Sequence, residues 1–165
     1  MDQPQRLSGK IHVARAEETD RAAVRELARV NHAESAFGRL PFSDQRFDAM
    51  FDACMGSPER SILLKASVEG KVVGFLYCNL GPYFIAEGGL IASVMAVYVS
   101  KECRSSLMGG KVAVRLVRGI GKLAKAMGAD ALLFYVTSEI DAAKSDRFFR
   151  KMGLSTLGGN YAVWL

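Results

Sequence analysis

Hydrophobic and polar positions follow two periods along the chain. Phe47, Met50, Phe51 and Cys54 recur three and four residues apart, which predicts a helix with one apolar side. The nearly continuous apolar run 90–99 predicts instead a central strand that is covered on both faces. The order is β-α-α-β-β-β-α-β-α-β-β, with predicted strands at 11–15, 61–68, 72–79, 90–99, 131–137, 154–157 and 161–165 and predicted helices at 20–33, 44–56, 109–127 and 142–152.

This order predicts an α/β fold with a mixed, mostly antiparallel central sheet of six to seven strands and helices on both faces. Strands 61–68 and 72–79 form a hairpin through Glu69-Gly70-Lys71. The fourth and fifth strands flank the long helix 109–127, so this unit is a crossover whose two strands lie side by side and parallel. A chain of 165 residues predicts a single domain over 1–165, with residues 1–9 flexible.

Helix starts along this pattern have suitable capping residues. Thr19 or Asp20 can cap the first helix through a side-chain oxygen, and Ser43 can cap the second. Phe42 and Phe47 stand at the spacing of a hydrophobic staple around Ser43.

The net charge of +5 is compatible with an anionic ligand, but it is also common for solubility alone. No block of consecutive basic residues marks a nucleic-acid tail, and no aromatic stacking platform is visible, so we expect no nucleic-acid partner. A basic stripe on the long helix nevertheless keeps nucleic-acid binding as a competing hypothesis, with a solvated helix face as the alternative. The stripe consists of Lys111, Arg115, Arg118, Lys122 and Lys125.

The cysteines and histidines argue against a metal site. Cys54, Cys78 and Cys103 match no metal-binding spacing, and the only histidines are His12 and His32. We therefore expect reduced thiols in a cytoplasmic protein and no metal cofactor. The N-terminus lacks an apolar signal core, and the run 90–99 is too short to span a bilayer, so the sequence predicts a soluble protein with no membrane partner.

The segment 97–111 carries the clearest chemistry. A buried strand ends, a short polar loop follows, and a helix begins near Gly109 and Gly110. A helix start offers unpaired N–H groups and partial positive charge, which favour a phosphate or diphosphate, and glycine permits close approach of the ligand. Arg104 adds a fork of donors. The alternative is an ordinary strand-to-helix loop that uses glycine for turning.

This segment resembles the central signature of the GNAT superfamily of acyl-CoA N-acyltransferases. Val99, Arg104 and Gly109 stand at the valine, the arginine and the last glycine of that signature. Segment 147–154 resembles a second family motif at the expected distance. The departures are Lys101 for the usual proline, Ser105 and Leu107 for the first two glycines, and Phe149 for the tyrosine that often protonates the leaving thiolate.

The resemblance implies an N-acetyltransferase that uses acetyl-CoA as co-substrate. A primary amine of a small molecule or protein attacks the thioester directly in a ternary complex, and the main-chain N–H of Val97 or Tyr98 stabilises the oxyanion. Lys111 and Arg115, one turn apart, are further candidates for contact with the phosphates. The coenzyme-binding residues implied are Val97, Tyr98, Val99, Arg104, Ser105, Ser106, Leu107, Met108, Gly109, Gly110 and Lys111.

No secure base or acid is visible. Glu87 lies just before the fourth strand and could take the amine proton through water, or it is an ordinary loop acid. His32, with Glu34 beside it, lies near the expected acceptor pocket, where a structural role is the alternative. For the acid, Tyr161 is preferred over Tyr135; both also suit core or rim positions.

The acceptor pocket is expected from residues 31–42, from the loop 82–89 and from the C-terminal strands, and its aromatic residues favour a small or partly apolar amine. A protein that binds acyl-CoA without catalysis is the alternative function, since Phe149 replaces tyrosine and the fourth strand carries no carboxylate. Formation of a homodimer through a sheet edge is left open.

Overall fold

The computed structural model describes residues 9–136, 142–158 and 162–164. Its centre is a sheet in the order β1-β2-β3-β4-β5. The strands are β1 (Ile11–Arg15), β2 (Ser61–Val68), β3 (Lys71–Gly81), β4 (Ile91–Val99) and β5 (Ala131–Phe134), and the helices are α1 (Arg21–Ala33), α2 (Asp44–Gly56), α3 (Lys101–Arg104), α4 (Leu107–Ala126) and α5 (Ala142–Lys151).

The strand directions follow the prediction. β1 to β4 pair antiparallel in chain order, and β4 pairs with β5 in parallel. The β2–β3 hairpin turns through Glu69 and Gly70, whose φ angles of 52° and 80° suit a tight two-residue turn. The mixed α/β fold and the parallel fourth and fifth strands are therefore confirmed.

The predicted number of strands is wrong: the described residues form a sheet of five strands, not six to seven. Residues 154–158 and 162–164, where two more strands were predicted, belong to no strand. Leu157 and Val163 are about four-fifths exposed. Trp164 packs its ring on Phe37 and Arg39 instead. Apolar residues favour a strand only where a neighbouring strand and a face can take them.

Each face of the sheet carries its own core. On one face, α4 packs Val112, Leu116 and Ile120, all fully buried, against the strands. On the other face, α1 contributes Val24 and α2 contributes Phe47, Phe51 and Cys54. Burial of this apolar surface on both faces stabilises the sheet. β4 therefore lies between α4 on one face and α1 and α2 on the other.

Helices α1 and α2 are joined along their exposed sides by a charged ladder. Ser43 caps α2 as predicted, accepting a hydrogen bond from the Arg46 N–H at 3.2 Å, and the Phe42 and Phe47 rings lie 6.4 Å apart. The ladder pairs the arginines of α1 with the aspartates of α2 and holds the two helices in one orientation relative to each other. Its members are Arg21, Arg25, Arg29, Asp44, Asp48 and Asp52.

Asp20, one of the two predicted capping residues, precedes α1 but makes no side-chain capping bond to it. The residue is instead 8% exposed, and its carboxylate accepts from the Lys65 ammonium on β2 at 2.6 and 2.8 Å. It also accepts from the Glu17 N–H at 2.8 Å. The buried ion pair therefore ties the start of α1 to the sheet.

Candidate active site

The candidate site begins at an extra residue, a β-bulge, in β4. Tyr77 of β3 pairs with Ala96 and its neighbour Cys78 pairs with Val94, so Met95 has no partner and forms a β-bulge. The side chain of Val94 lies on the α4 face, whereas Ala96 lies on the α1–α2 face. Beyond the bulge, odd-numbered residues of β4 face α4.

At the same point β4 and β5 separate. Their pairing ends at Val94 and Phe134, and the last main-chain bond joins the Tyr135 N–H to the Val94 carbonyl at 3.0 Å. No strand among the described residues pairs with the rest of β4 on this side. The second half of β4 therefore presents unpaired main-chain groups to a gap.

The direction of these groups follows from one hydrogen bond. The Ser100 N–H donates to the Val73 carbonyl of β3 at 2.8 Å. Because the peptide is trans, the Val99 carbonyl points the opposite way, into the gap. Because main-chain groups alternate in direction along a strand, those of Val97 also point into the gap, whereas those of Tyr98 point toward β3. Of the two predicted oxyanion donors, the N–H of Val97 is the one at the gap.

The gap forms a cavity of about 530 Å³ between β4, β5, α4 and α5. Seven predicted coenzyme-binding residues line it; Ser106, Leu107, Met108 and Lys111 do not. Of the described residues in its lining, none is Asp, Glu or His. The lining consists of Asn31, Met95, Ala96, Val97, Tyr98, Val99, Lys101, Arg104, Ser105, Gly109, Gly110, Ala113, Phe134, Tyr135, Val136, Lys144, Ser145, Phe148 and Phe149.

The predicted polar loop is a helical turn, α3, followed directly by α4. Ser106 caps α4 by accepting from the Met108 N–H at 3.2 Å, and its hydroxyl donates to the Cys103 carbonyl at 2.7 Å. The Ser105 hydroxyl donates to the Glu102 carbonyl at 3.0 Å. The hydroxyls of both serines, which are among the predicted coenzyme-binding residues, therefore already bond main-chain carbonyls.

The two glycines of the α4 start have different surroundings. A Cβ at Gly109 would lie 2.3 Å from the Arg104 Cα, so glycine is needed for α4 to cross α3. A Cβ at Gly110 would meet no atom within 4 Å, and this residue borders the cavity. Leu107, which replaces a glycine of the family signature, is 90% exposed and lines no part of the cavity.

Arg104 makes an ion pair with the end of α1. Its Nη2 donates to Glu34 Oε1 at 2.7 Å, and Lys101 Nζ lies 2.9 Å from the same oxygen. The guanidinium carbon also lies 5.4 Å from the centre of the Tyr98 ring. The hydrogen bond from Arg104, with a smaller contribution from Lys101, lowers the pKa of Glu34 to about 2 despite its burial. Both basic groups therefore line the cavity and contact a carboxylate that is charged at neutral pH.

Of the predicted catalytic residues, the two that the structure describes, His32 and Glu87, do not line the cavity. His32 Nε2 lies 2.7 Å from the Leu40 carbonyl oxygen, within the segment after α1. Glu87 is exposed in the loop between β3 and β4. Tyr161 lies outside the described residues. Tyr135 lines the cavity at the point where β4 and β5 separate.

Helix α5 closes the far side of the cavity. Phe149, which replaces the family tyrosine, packs on Phe134 with ring centres 4.9 Å apart. Lys144 and Ser145 line the cavity although sequence reasoning had not selected them. Arg115, in contrast, donates to the Ile11 carbonyl of β1 at 2.7 Å, so it ties α4 to the sheet edge.

The described residues hold no group of three or more His, Cys, Asp and Glu side chains placed to bind a metal ion. Within the same ranges no helix is long and apolar enough to cross a bilayer.

Comparison with solved structures shows a shared fold. An aminoglycoside N-acetyltransferase, AAC(6')-Iy, in complex with CoA has a TM-score of 0.74 at 11% identity, covering 96% of each chain. A transcriptional regulator from Bacillus halodurans C-125 has a TM-score of 0.72 at 17% identity, covering 94% of this chain and 100% of that one. Glucosamine-6-phosphate N-acetyltransferase from Arabidopsis thaliana has a TM-score of 0.66 at 16% identity, covering 94% and 98%.

No curated protein sequence matches the chain. The model of the acetyltransferase (GNAT) family matches residues 26–154, a range that includes the bulge, the gap and both helix starts around Arg104. This chain therefore belongs to the GNAT family of acetyltransferases and is an acyltransferase.

Proposed function

We propose that the protein transfers an acetyl group from acetyl-CoA to a primary amine of a small molecule or protein, by direct attack in a ternary complex. The observation that carries the proposal is the gap after the Met95 bulge, where no described strand pairs with the main-chain groups of Val97 and Val99 beside the start of α4. An extended amide-bearing chain such as pantetheine can bond to such an edge as an added strand does. The CoA-bound fold relative supports the same choice of co-substrate.

The cavity wall at the start of α4 suits the diphosphate. Arg104 and Lys101 line the cavity, and Gly109 and Gly110 of the first turn of α4 line it with them. Main-chain N–H groups at a helix start attract anions, and a guanidinium matches phosphate oxygens geometrically. The apolar part, formed by residues such as Phe134, Phe149 and Val97, takes the less polar arm and the thioester.

The reaction forms a C–N bond and breaks the thioester C–S bond. The amine nitrogen attacks the carbonyl carbon, the N–H of Val97 donates to the developing oxyanion, and sulfur leaves as thiolate. Because neither Glu87 nor His32 lines the cavity, we propose that water carries the amine proton from the cavity to one of them. Tyr135, at the separation point, and Tyr161 are the proposed proton donors to sulfur.

The cavity lining also favours one alternative function. Because the described lining contains no carboxylate or imidazole and Phe149 stands in place of a tyrosine, the protein could bind acyl-CoA without turning it over. Proximity alone can supply much of the rate in amine acylation, which favours the enzyme over this alternative.

The test combines binding and turnover. Calorimetry measures acetyl-CoA binding, and a thiol reagent measures CoA release across a panel of small amines and N-terminal peptides. Binding with amine-dependent thiol release supports the proposal. Binding without release on any acceptor supports the non-catalytic alternative, and absence of binding at millimolar acetyl-CoA overturns both.

The two tyrosines are compared in the same assay. We expect Tyr135→Phe or Tyr161→Phe, whichever residue protonates the thiolate, to lower kcat about a hundredfold with little change in KM for acetyl-CoA. Tyr77→Phe is the control, because Tyr77 lies on β3 and lines no part of the cavity. Unchanged kcat in both variants would exclude Tyr135 and Tyr161 as the acid.

A further inference from the structure

Glu34 links two parts of the molecule that are distant in sequence. It follows α1, on the side of the chain that leads into the expected acceptor pocket, yet its Oε1 contacts Arg104 Nη2 and Lys101 Nζ at 2.7 and 2.9 Å. Its side chain is only 15% exposed, whereas that of Lys101 is 64% exposed. A carboxylate this buried, contacting two cavity-lining cations, differs from an exposed surface ion pair, because removal of one partner leaves a charge that water screens poorly.

Arg104 is held both at its main chain, by Gly109, and at its guanidinium, by Glu34. Its main chain packs against Gly109, which leaves no room for movement toward α4. Its guanidinium is bound through Nη2 alone among the described residues, so Nε and Nη1 are left to donate elsewhere. A planar donor fork that is fixed before the ligand arrives loses less conformational entropy on binding.

The charges around Glu34 still favour an anion. Two cations share one carboxylate oxygen, so the cluster keeps an excess positive charge at the cavity. Without the carboxylate, the Lys101 and Arg104 heads would repel each other and separate into solvent. Glu34 thus keeps both cations together and close to the first turn of α4.

We propose that Glu34 is a positioning residue for the coenzyme: it holds Arg104 and Lys101 so that their remaining donors meet the diphosphate. This inference rests on the proposed acetyl-CoA binding. The inference predicts that replacement of Glu34 weakens coenzyme binding. A carboxylate that only competed with the diphosphate for Arg104 would have the opposite effect, and its removal would tighten coenzyme binding.

The experiment separates the diphosphate from the rest of the ligand. Kd and KM are measured for acetyl-CoA and for S-acetylpantetheine, which has the thioester and the arm but no diphosphate. We expect Glu34→Gln to raise both constants for acetyl-CoA about tenfold, the loss of one charge-assisted contact, while kcat and the constants for S-acetylpantetheine stay unchanged.

Two further variants control for charge and for fold. Glu102→Gln removes an exposed carboxylate of α3 that pairs with Lys71, outside the cavity, and is expected to leave the acetyl-CoA constants unchanged. Glu34→Asp keeps the charge on a shorter side chain and is expected to restore part of the lost affinity.

The outcomes distinguish the two proposals. Equal weakening of both donors by Glu34→Gln indicates a general structural defect and overturns the positioning role, as do unchanged or tighter acetyl-CoA constants. Failure of the wild type to release thiol from either donor defeats the proposed function, and the Kd values then decide the role of Glu34 alone. A wild type that binds acetyl-CoA no better than S-acetylpantetheine overturns the inference.

Discussion

Gly109 and the main chain of Arg104 are in contact: a Cβ at position 109 would come within 2.3 Å of the Arg104 Cα and 2.7 Å of the Cys103 carbonyl oxygen. Neither atom belongs to a flexible side-chain end, so the contact cannot relax cheaply. The glycine of the family signature is therefore needed here for helix crossing, before any ligand is considered.

We expect Gly109→Ala to destabilise the protein by about 2 kcal/mol or more, because the new methyl group must push α4 away from α3. Gly110→Ala is the matched control, since its Cβ meets open space within the same helical turn. There we expect a gain of up to about 1 kcal/mol from the higher helix propensity of alanine. Urea denaturation measures both, and equal effects would contradict the packing.

The ion pair of Glu34 gives a pH-dependent contribution to stability. Hydrogen bonding from Arg104 lowers its pKa to about 2 in the folded protein, below its ordinary value of 4.5. Folding therefore gains from the charged carboxylate above pH 4.5, and this gain is lost as the pH falls toward 2. We expect Glu34→Gln to lose about 1.5–3 kcal/mol at pH 6 and progressively less at pH 3. A difference that does not change between these pH values would contradict the assignment.

The buried pair of Asp20 and Lys65 predicts a larger loss. Asp20→Asn leaves the Lys65 ammonium without its carboxylate in a site that is largely shielded from water, and we expect destabilisation of about 3 kcal/mol. Glu18→Gln, which removes an exposed partner of Arg21, is expected to have a much smaller effect. Thermal unfolding of both variants at neutral pH checks the contrast.

All three cysteines are buried, and burial raises the pKa of their thiols, to about 11 for Cys54 and about 12 for Cys78. The pKa of Cys103, next to the coenzyme loop, is raised by the same cause. Because the thiolate is the reactive form, we expect no alkylation by iodoacetamide at pH 7.5 in the native protein and three equivalents in 6 M guanidinium chloride. Mass spectrometry counts the adducts, and rapid labelling of native Cys103 would contradict its buried position.

Sequence reasoning succeeds where the signal is local and repeated. The apolar stripe of α4 and the continuous apolar run of β4 are strong enough to predict the crossover and its parallel strands. The sequence predicts the start of α4 near Gly109, whereas the helix begins at Leu107 and Ser106 is its cap. The prediction of a strand at the short apolar segment 154–157 is wrong, because strand formation depends on a pairing partner that is distant in sequence and that the local pattern cannot identify.

The site is less predictable because its contacts join distant residues. Glu34 and Arg104 are 70 positions apart, and no spacing rule relates them. The bulge at Met95 leaves the apolar run of β4 unbroken, so it cannot be recognised in the sequence. The exposed direction of Leu107 likewise depends on the turn of α3 before it.

The bulge at Met95 also decides which face each later residue of β4 occupies. Val94 and Ala96 lie on opposite faces of the sheet only because Met95 has no partner on β3. An unbroken ladder through Met95 would move every side chain after it to the opposite face, so the Tyr98 ring would enter the core under α4. Deletion of Met95 would instead leave a regular ladder with each later side chain on its present face. Both cores should therefore survive the loss of this one residue more easily than they would accept an additional residue inserted in 91–99.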